Sequence, residues 1–530
     1  MIVLERLGRR KGEAKASLER AFGGDPPAGG AVSGMGRAVA SAAAETLAAL
    51  AVVREGLGAL EEFVQQARAR FQHCLILGSP GAPGEVYSRV LGKRDGFLDV
   101  RLLDSSAPDA VRGGLRGFAP EKTLFIVTAL DLETRALYRY FRAQAEQAAV
   151  ANEAGAQFVA VGPEGSALLA FAREEGFLRS FESPASALGY SSFLPAALLG
   201  LDLHKLVSEA ERIAADPSPV RLGAITAGLA AASADKLTLL FSKNLAPLGA
   251  WVSGLVATRT AGNGRGVIPI AGEGAGRKQA YGPDRLFASA SLAAEKQDLS
   301  WLADSGHPVL QWQLETREEL AGEFGRWEIA AGVMGALLGA PHAPEPAMAE
   351  AAAPEPALRA RGLALFAEPG HAELLQRAAR TLGASAAESP AGWIAAHFAL
   401  ADEGDYAALV AFLPHDLPLE EELAAAQTSL RDATRMACAL DFGPRCSHGT
   451  GRVYADGPAS GLFLVLSAPG GEDLPIPGEP RGFASLWKAQ IQAQVAALAA
   501  RRVLRVHAED GKTGPLLEEL RAAIRLLSFK

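Results

Sequence analysis

The sequence predicts an α/β protein with two doubly wound parallel-sheet domains, a helical segment before them and an α/β region after them. Two observations carry this prediction. Short apolar runs alternate with helical patterns between residues 73 and 161, and they do so again between residues 236 and 314. Such strand–helix alternation is typical of parallel sheets that are covered by helices on both faces. The 530 residues, 49% of them hydrophobic, are enough for two or three packed domains.

Residues 1–70 are predicted to form a helical N-terminal segment, broken where Gly and Pro cluster over residues 23–30. Glu5 and Arg6 interrupt the early apolar residues, so no signal peptide is predicted. The alanine-rich run 38–53 contains Glu45 and is not apolar enough to span a bilayer. The sequence assigns no function to this segment.

The first domain is predicted over residues 71–215 and the second over residues 216–340. Each contains four apolar runs of strand length separated by helical patterns. The predicted strands of the first domain are 73–77, 99–103, 123–127 and 157–161. Those of the second domain are 236–241, 266–270, 286–290 and 309–314.

Residues 341–362 are dominated by Ala, Pro and Glu, and their proline density excludes a continuous helix. We predict a semi-rigid linker there. The C-terminal region, residues 363–530, contains helical patterns and then a strand at 461–466, a helix near 486–500 and a strand at 502–507. It is expected to complete the fold of the two preceding domains.

Charge and cysteine content limit the partners. The net charge of −8 argues against nucleic acid, because no basic surplus exists to neutralise phosphates. The three cysteines are few and odd in number, so a reducing cytoplasm is expected. Cys438, Cys446 and His448 lack the spacing of a metal site. No metal, no cofactor and no membrane partner are predicted.

Several stretches from residue 74 to residue 508 carry a resemblance to a known family. They are 132–141, 186–188 with 194–200, 264–270 with Glu273 and 281–282, 326–328, 442–445 and 473–478. In this order they resemble the glucose-6-phosphate isomerase family, and most closely the isomerase module that some bacterial enzymes fuse to transaldolase. The resemblance implies two sugar-isomerase (SIS-type) domains, aldose–ketose isomerisation, a sugar or sugar-phosphate ligand and a homodimer.

The family's substrate loops are altered here. Its first glycine-rich turn corresponds to residues 78–84, where two prolines lack an N–H donor. Its hydroxyl-rich phosphate loop corresponds to residues 128–131 of this chain, which form a loop three residues shorter than that of the family. Asp131 then falls at a helix N-cap, where its carboxylate is expected to accept a bond from the Glu133 or Thr134 amide. The resemblance offers these residues for ligand binding: Gly78, Ser79, Gly81, Thr128, Asp131, Thr134 and Ser186.

The catalytic positions are altered as well. Thr258 stands where the family has its catalytic glutamate, and a threonine hydroxyl is not a base near neutral pH. Residues 182–184 replace a Gly-Gly-Arg motif, and residues 341–346 replace an Asn-Pro-Phe-Asp-Gln-Pro motif. His448 and Arg452 are remnants of a His-Ser-Thr-Gly-Gln motif. No intact catalytic residue is therefore predicted.

Three functions remain open at this point. The first is an isomerase-like protein without effective catalysis, which binds a metabolite, a protein partner or its own copies. The second is an active glucose-6-phosphate isomerase with a rebuilt site, in which Glu133, Glu182 or Glu273 serves as base. The third is a binding protein for a polyhydroxy or cationic ligand that lacks phosphate and is favoured by Asp131.

Overall fold

A computed structural model describes residues 2–7, 10–22, 37–78, 82–148, 154–340, 355–414 and 416–528. The strands are β1 (Ile2–Arg6), β2 (His73–Leu77), β3 (Asp99–Leu103), β4 (Thr123–Val127), β5 (Phe158–Gly162), β6 (Arg179–Glu182), β7 (Lys236–Leu239), β8 (Ile268–Ala271), β9 (Arg285–Leu292), β10 (Val309–Leu314), β11 (Leu358–Ala360), β12 (Leu363–Phe366), β13 (Tyr406–Phe412), β14 (Ala437–Phe442), β15 (Gly461–Ser467) and β16 (Arg502–Ala508).

The α-helices are α1 (Lys11–Phe22), α2 (Arg37–Glu55), α3 (Leu57–Arg70), α4 (Ala82–Leu91), α5 (Pro108–Gly113), α6 (Leu132–Ala148), α7 (Ala167–Glu174), α8 (Tyr190–Leu198), α9 (Leu203–Ala214), α10 (Ser218–Ala231), α11 (Leu248–Thr260), α12 (Ser300–Asp304), α13 (Leu320–Leu338), α14 (Pro369–Leu382), α15 (Pro390–Ala399), α16 (Leu417–Thr434), α17 (Gly451–Asp456), α18 (Phe483–Ala497) and α19 (Thr513–Ser528).

The first sheet has the order β3-β2-β4-β5-β6, and all its strand pairs are parallel. Every residue of β4 is buried, as expected for a central strand covered by helices on both faces. The order reverses between β2 and β4, so the helices that follow these two strands leave on opposite sides. The carboxyl ends of β2 and β4 therefore border a crevice, where ligands of doubly wound sheets bind.

The second sheet has the order β1-β10-β9-β7-β8. Strands β7 to β10 are parallel, while β1 pairs with β10 in the antiparallel direction. The prediction that residues 1–70 are helical is therefore wrong for Ile2–Arg6. This strand begins with an Ile-Val-Leu run, which favours β structure but is too short to give a clear signal. Its partner lies about 300 residues further along the chain, so no local pattern indicates the pairing.

The C-terminal region forms a third sheet with the order β11-β12-β16-β15-β13-β14. Its last four strands are parallel and repeat the winding of the first two sheets. Strand β11, residues 358–360, lies inside the range predicted as linker and pairs with β12. Residues 341–354 of that range lie outside the described residues. The region thus has a hydrophobic core of its own, between its sheet and helices α14, α15, α16 and α19.

The N-terminal helices pack on both of the parallel-sheet domains that follow them in the chain. Helix α1 lies against α10, α2 lies against α13, and α3 lies against α8. The predicted fold class, α/β with doubly wound parallel sheets, is confirmed. Within the described ranges, no helix combines the length and the apolarity that a bilayer crossing requires.

Candidate functional site

A cavity of about 610 Å³ lies where the first domain, the second domain and the C-terminal region meet. Its walls come from α4, the loop after β4, the loop before α11, one side of α11 along most of its length and the turn at residues 445–449. The loop after β4 lies at the crevice where the order of the first sheet reverses. The fold therefore places this cavity at the expected ligand position.

The structure brings together some of the predicted site residues and separates others. Asp131, Thr258 and His448 line the cavity. Ser79 and Gly81 lie outside the described residues. Gly78 and Thr128 directly follow β2 and β4, Thr134 lies in the first turn of α6 and Arg452 lies in α17. These four residues and Ser186 do not line the cavity.

Asp131 caps helix α6. Its Oδ1 accepts a hydrogen bond of 2.8 Å from the Thr134 amide, and its Oδ2 accepts one of 2.9 Å from the Thr134 hydroxyl. The prediction of an N-cap at Asp131 is confirmed. The carboxylate lies at the positive end of the helix dipole, where it satisfies an amide that an incoming anion would otherwise bind.

The neighbouring polar groups are also engaged within the protein. The Thr128 hydroxyl donates to the Leu77 carbonyl at 3.0 Å. The Gly78 amide donates to the Leu103 carbonyl at 3.2 Å. Gly78 has a φ of +100°, and a Cβ there would lie 2.8 Å from the Thr134 hydroxyl, so the position requires glycine. These contacts preserve the turn but leave fewer donors for a phosphate.

Thr258 lies on the cavity wall, near the end of α11. Its hydroxyl donates to the Gly254 and Leu255 carbonyls at 2.9 and 3.0 Å, the usual bond of a helical threonine to the preceding turn. The position where the family has its base thus carries a hydroxyl that is occupied by its own helix.

Glu133 lies behind the cavity and is only 6% exposed. Its Oε2 accepts a bond of 2.7 Å from the Gln490 amide and lies 3.9 Å from His448 Nε2. Burial raises the pKa of Glu133 to about 7; the hydrogen bond and the charge of His448 oppose this shift, and Asp104 and Asp131 add to it. A carboxyl with this pKa can hold or release a proton near neutral pH.

Arg445 joins the C-terminal region to the first domain. Its Nε and Nη2 donate to Asp104 at 2.5 and 3.2 Å, and Nη2 also donates to Glu85 at 3.0 Å. Burial alone would lower the pKa of Arg445, but the two carboxylates raise it above its ordinary value. In the sequence Arg445 stands out only as part of a family motif, because its acidic partners lie more than 300 residues away.

Two further cations, Arg89 and Lys243, lie on the cavity wall together with Glu85 and Asp131. Arg89 is 4.0 Å from Glu85, one helical turn away. The wall therefore carries both signs of charge. Among the described residues, no three His, Cys, Asp or Glu side chains are grouped so that they could hold a metal ion.

Ser186 has a structural contact away from the cavity. Its hydroxyl and the Ala187 amide donate to the buried carboxylate of Glu328. Burial raises the pKa of Glu328, and these two bonds oppose the shift. The Ser186 side chain is therefore committed to Glu328.

The three glutamates considered as replacement bases differ in position. Glu182 is exposed at the end of β6. Glu273 is fully buried in an ion pair with Arg285, with N–O distances of 2.8 and 2.9 Å. Glu133 does not line the cavity itself, but its Oε2 lies 3.9 Å from Nε2 of His448, which does. The geometry therefore leaves Glu133 as the glutamate of this group that is closest to a ligand.

Fold and cavity define an α/β protein with parallel sheets and a cavity at the carboxyl ends of the first sheet. No protein-family model matches the chain, and the comparison with curated proteins found no match. Among solved structures, a hypothetical protein from Thermus thermophilus is similar over 99% of this chain and 94% of its own, with 14% identity and a TM-score of 0.40.

Two enzymes of known activity are similar over part of the chain. A glucose-6-phosphate isomerase from Chlamydia trachomatis is similar over 62% of this chain and 79% of its own, with 15% identity and a TM-score of 0.44. A tagatose-6-phosphate ketose/aldose isomerase from Escherichia coli is similar over 59% of this chain and 96% of its own, with 14% identity and a TM-score of 0.41. Identities and TM-scores as low as these do not indicate a function.

Proposed function

We propose that this chain is a glucose-6-phosphate isomerase-like protein that binds a small polar ligand in the cavity and isomerises sugar phosphates very slowly or not at all. Its role is then binding, regulation or scaffolding in sugar-phosphate metabolism. A protein partner and a homodimer belong to the same proposal. The observation that carries it is the Asp131 carboxylate at the start of α6.

Asp131 opposes a phosphate through charge. Two unit charges about 4 Å apart repel by ~1 kcal/mol in water and ~4 kcal/mol near a protein surface. A phosphate dianion roughly doubles this repulsion. Since the Thr134 amide and hydroxyl already bind Asp131, they offer little compensation to the ligand.

The cavity wall also lacks a carboxylate at the position of the family's base. Aldose–ketose isomerisation moves a proton between two neighbouring carbons, and this requires a general base. Thr258 occupies that position, and its hydroxyl donates to its own helix. Loss of a general base typically lowers a rate by ~10²–10⁴.

An active isomerase that uses Glu133 is the second candidate. It is favoured by the pKa of Glu133, which burial raises to about 7 and which therefore suits a base near neutral pH. Two observations weigh against it: Glu133 is 6% exposed, and its Oε2 is bound by Gln490. A substrate carbon would have to reach a carboxylate that lies behind the wall of the cavity.

We expect turnover of fructose 6-phosphate in a dehydrogenase-coupled assay to be at least about 100-fold slower than that of an ordinary isomerase measured in parallel. Glu133→Gln should leave any residual rate unchanged. Turnover at the ordinary rate contradicts the proposal. If Glu133→Gln then abolishes it, the active isomerase with Glu133 as base is the correct function.

Asp131→Ser should improve phosphate binding. Serine remains a good N-cap residue, so the substitution removes the charge while keeping the start of α6. Removing ~1 kcal/mol of repulsion between the carboxylate and the anion corresponds to an approximately fivefold lower Kd for inorganic phosphate. Calorimetric titration measures this Kd.

The matched control is Asp202→Ser. Asp202 caps α9 in the same way, by accepting a bond of 3.0 Å from the Lys205 amide, and it does not line the cavity. Phosphate affinity should be the same in this variant as in the unchanged protein. An unchanged Kd in Asp131→Ser would show that the carboxylate is not what opposes the anion.

A further inference from the structure

A second cavity, of about 240 Å³, lies where the second domain meets the C-terminal region. It is bordered by the carboxyl ends of β8 and β14 and by helices α11 and α16. Part of its wall, including Ala250, Gly254 and Arg445, is shared with the main cavity of about 610 Å³. None of the described residues to which the sequence assigned ligand binding or catalysis lines it. We call it the Asp441 cavity and define it by Ala250, Gly272, Ala424, Gln427, Asp441 and Arg445.

Asp441 lies near the end of β14, lines this cavity and is partly exposed. Its Oδ2 accepts a hydrogen bond from the Tyr454 hydroxyl. Burial raises the pKa of the Asp441 carboxyl, and the hydroxyls of Tyr454 and Thr450 oppose this shift. Among the described residues, no cation pairs with this carboxylate or shifts its pKa. The wall of the cavity therefore carries a carboxylate without a counter-charge.

The two arginines that line the cavity do not supply this counter-charge. Arg445 donates to Asp104 and to Glu85, so two carboxylates already balance its guanidinium group. Arg89 lies 4.0 Å from the same Glu85. With these carboxylates counted, the arginines leave no excess of positive charge, and Asp441 makes the cavity negative.

The side-chain amide of Gln427 is a second acceptor in the wall. Gln427 is fully buried, and its Nε2 donates to the Ala271 and Cys438 carbonyls at 2.9 and 2.7 Å. Its Oε1 has no hydrogen-bond partner among the described residues, and a Cβ at Gly272 in the same wall would lie 3.3 Å from it. A buried acceptor without a donor is uncommon and costs free energy. Donors, not acceptors, are therefore what this part of the wall lacks.

Much of the remaining wall is apolar. Ala250 comes from α11, Ala424 from α16, and Leu440 and Phe442 from β14. Glu420 of α16 also lines the cavity, and it is engaged in an interaction of its own. A ligand with a compact apolar body would cover this surface and keep its polar group at the end of β14.

We propose that the Asp441 cavity is a second ligand site, which takes the ammonium group of a small amine and packs its apolar body between α11 and α16. An ammonium group supplies the missing positive charge, and it brings three N–H donors to a carboxylate that can accept several. Sites for drug-sized ligands have volumes of ~300–1,000 Å³, so a cavity of about 240 Å³ suits a smaller molecule. The site does not depend on whether the main cavity isomerises sugar phosphates.

Cyclohexylamine is a probe with both features. Cyclohexanol has the same ring without the charge, and cyclohexanecarboxylate has the ring with the opposite charge. In calorimetric titrations of the full chain, cyclohexylamine should bind with a Kd at least about tenfold lower than that of cyclohexanol, the ratio expected for a hydrogen bond between charged groups. Cyclohexanecarboxylate should bind more weakly than either.

Two variants test the position of the amine. Asp441→Asn removes the charge and keeps a side-chain oxygen that can accept the Tyr454 hydroxyl bond, so it should raise the Kd of cyclohexylamine at least about tenfold. Ala424→Leu fills part of the Asp441 cavity but not of the main cavity, and it should raise this Kd as well. Thermal unfolding of each variant, measured in parallel, confirms that it is folded.

The matched control is Glu421→Gln, since Glu421 is an exposed carboxylate of α16 that lines neither cavity. It should leave the Kd of cyclohexylamine unchanged. An unchanged Kd in Asp441→Asn or in Ala424→Leu overturns the proposal, and so does cyclohexanol that binds as tightly as the amine. A loss of binding in Asp131→Ser overturns it too, because this would place the amine in the main cavity.

Discussion

Glu273→Ala should lower the free energy of unfolding by about 3–5 kcal/mol, the largest stability change that we expect from one substitution in this chain. Glu273 and Arg285 form an ion pair in which both side chains are 0% exposed. Removing the carboxylate leaves a guanidinium buried without its counter-charge. The energy of that unpaired cation, more than the lost attraction, produces the effect.

The pair also joins two domains. Glu273 follows β8 of the second sheet, and its Oε1 accepts a bond of 2.9 Å from the Cys438 amide in β14 of the third sheet. Arg285 donates to the Met436 carbonyl at 3.1 Å. We therefore expect Glu273→Ala to loosen the contact between these domains as well as to lower overall stability.

The midpoint of urea unfolding, followed by tryptophan fluorescence, measures this loss. Glu509→Ala is the control, because Glu509 pairs with Arg359 at the surface, with side chains 43% and 61% exposed, and such pairs contribute about 0–1 kcal/mol. Adding Arg285→Met to Glu273→Ala should recover part of the loss by removing the unpaired charge. Equal midpoints for Glu273→Ala and Glu509→Ala would contradict the inference that the buried ion pair stabilises the protein and the contact between these two domains.

The strands that could be predicted from the sequence are those whose own residues form short apolar runs. Strands β2, β3, β4 and β10 have the predicted bounds, since each is a compact apolar run rich in Val, Ile, Leu or Phe. Strand β13 was not predicted, because three of its seven residues are alanine, which favours helix. Its burial on both faces of the third sheet outweighs that local preference.

In the site, too, contacts between residues close in sequence were predictable and contacts between distant residues were not. The Asp131 cap was predictable because its partner, Thr134, is three residues away. The contacts of Glu133 with Gln490 and of Arg445 with Asp104 join residues 357 and 341 positions apart. Residue spacing indicates contacts within one helix, strand or turn, so it cannot indicate contacts between residues this far apart in sequence. Asp131, Thr258 and His448, which the resemblance singles out, line one cavity, but the resemblance does not indicate which carboxylates are buried beside it.

Glu133→Gln should make the protein more stable at pH 8 and leave its stability at pH 4.5 nearly unchanged. In the folded protein, burial raises the pKa of Glu133 from 4.5 to about 7. Between these two values the folded state binds more protons than the unfolded state, so stability falls as the pH rises. The shift corresponds to about 3 kcal/mol, lost between roughly pH 4.5 and pH 7.

Glutamine stays neutral over this range, and its side-chain oxygen can still accept the bond from Gln490. The unfolding midpoint of Glu133→Gln, measured from pH 4.5 to pH 8, should therefore separate progressively from that of the unchanged protein. Glu146→Gln is the control on the same helix, because the Glu146 side chain is 55% exposed and pairs with Arg142 at the surface. Its effect should be small at every pH.

The same titration bears on catalysis. Below about pH 7 a neutral Glu133 cannot accept a proton, so an isomerase that depended on it would gain activity as the pH rises, in the range where the protein loses stability. If Glu133→Gln instead destabilises the protein equally at all pH values, the carboxyl is ionised throughout. His448, 3.9 Å away, would then have to be the cation that balances it.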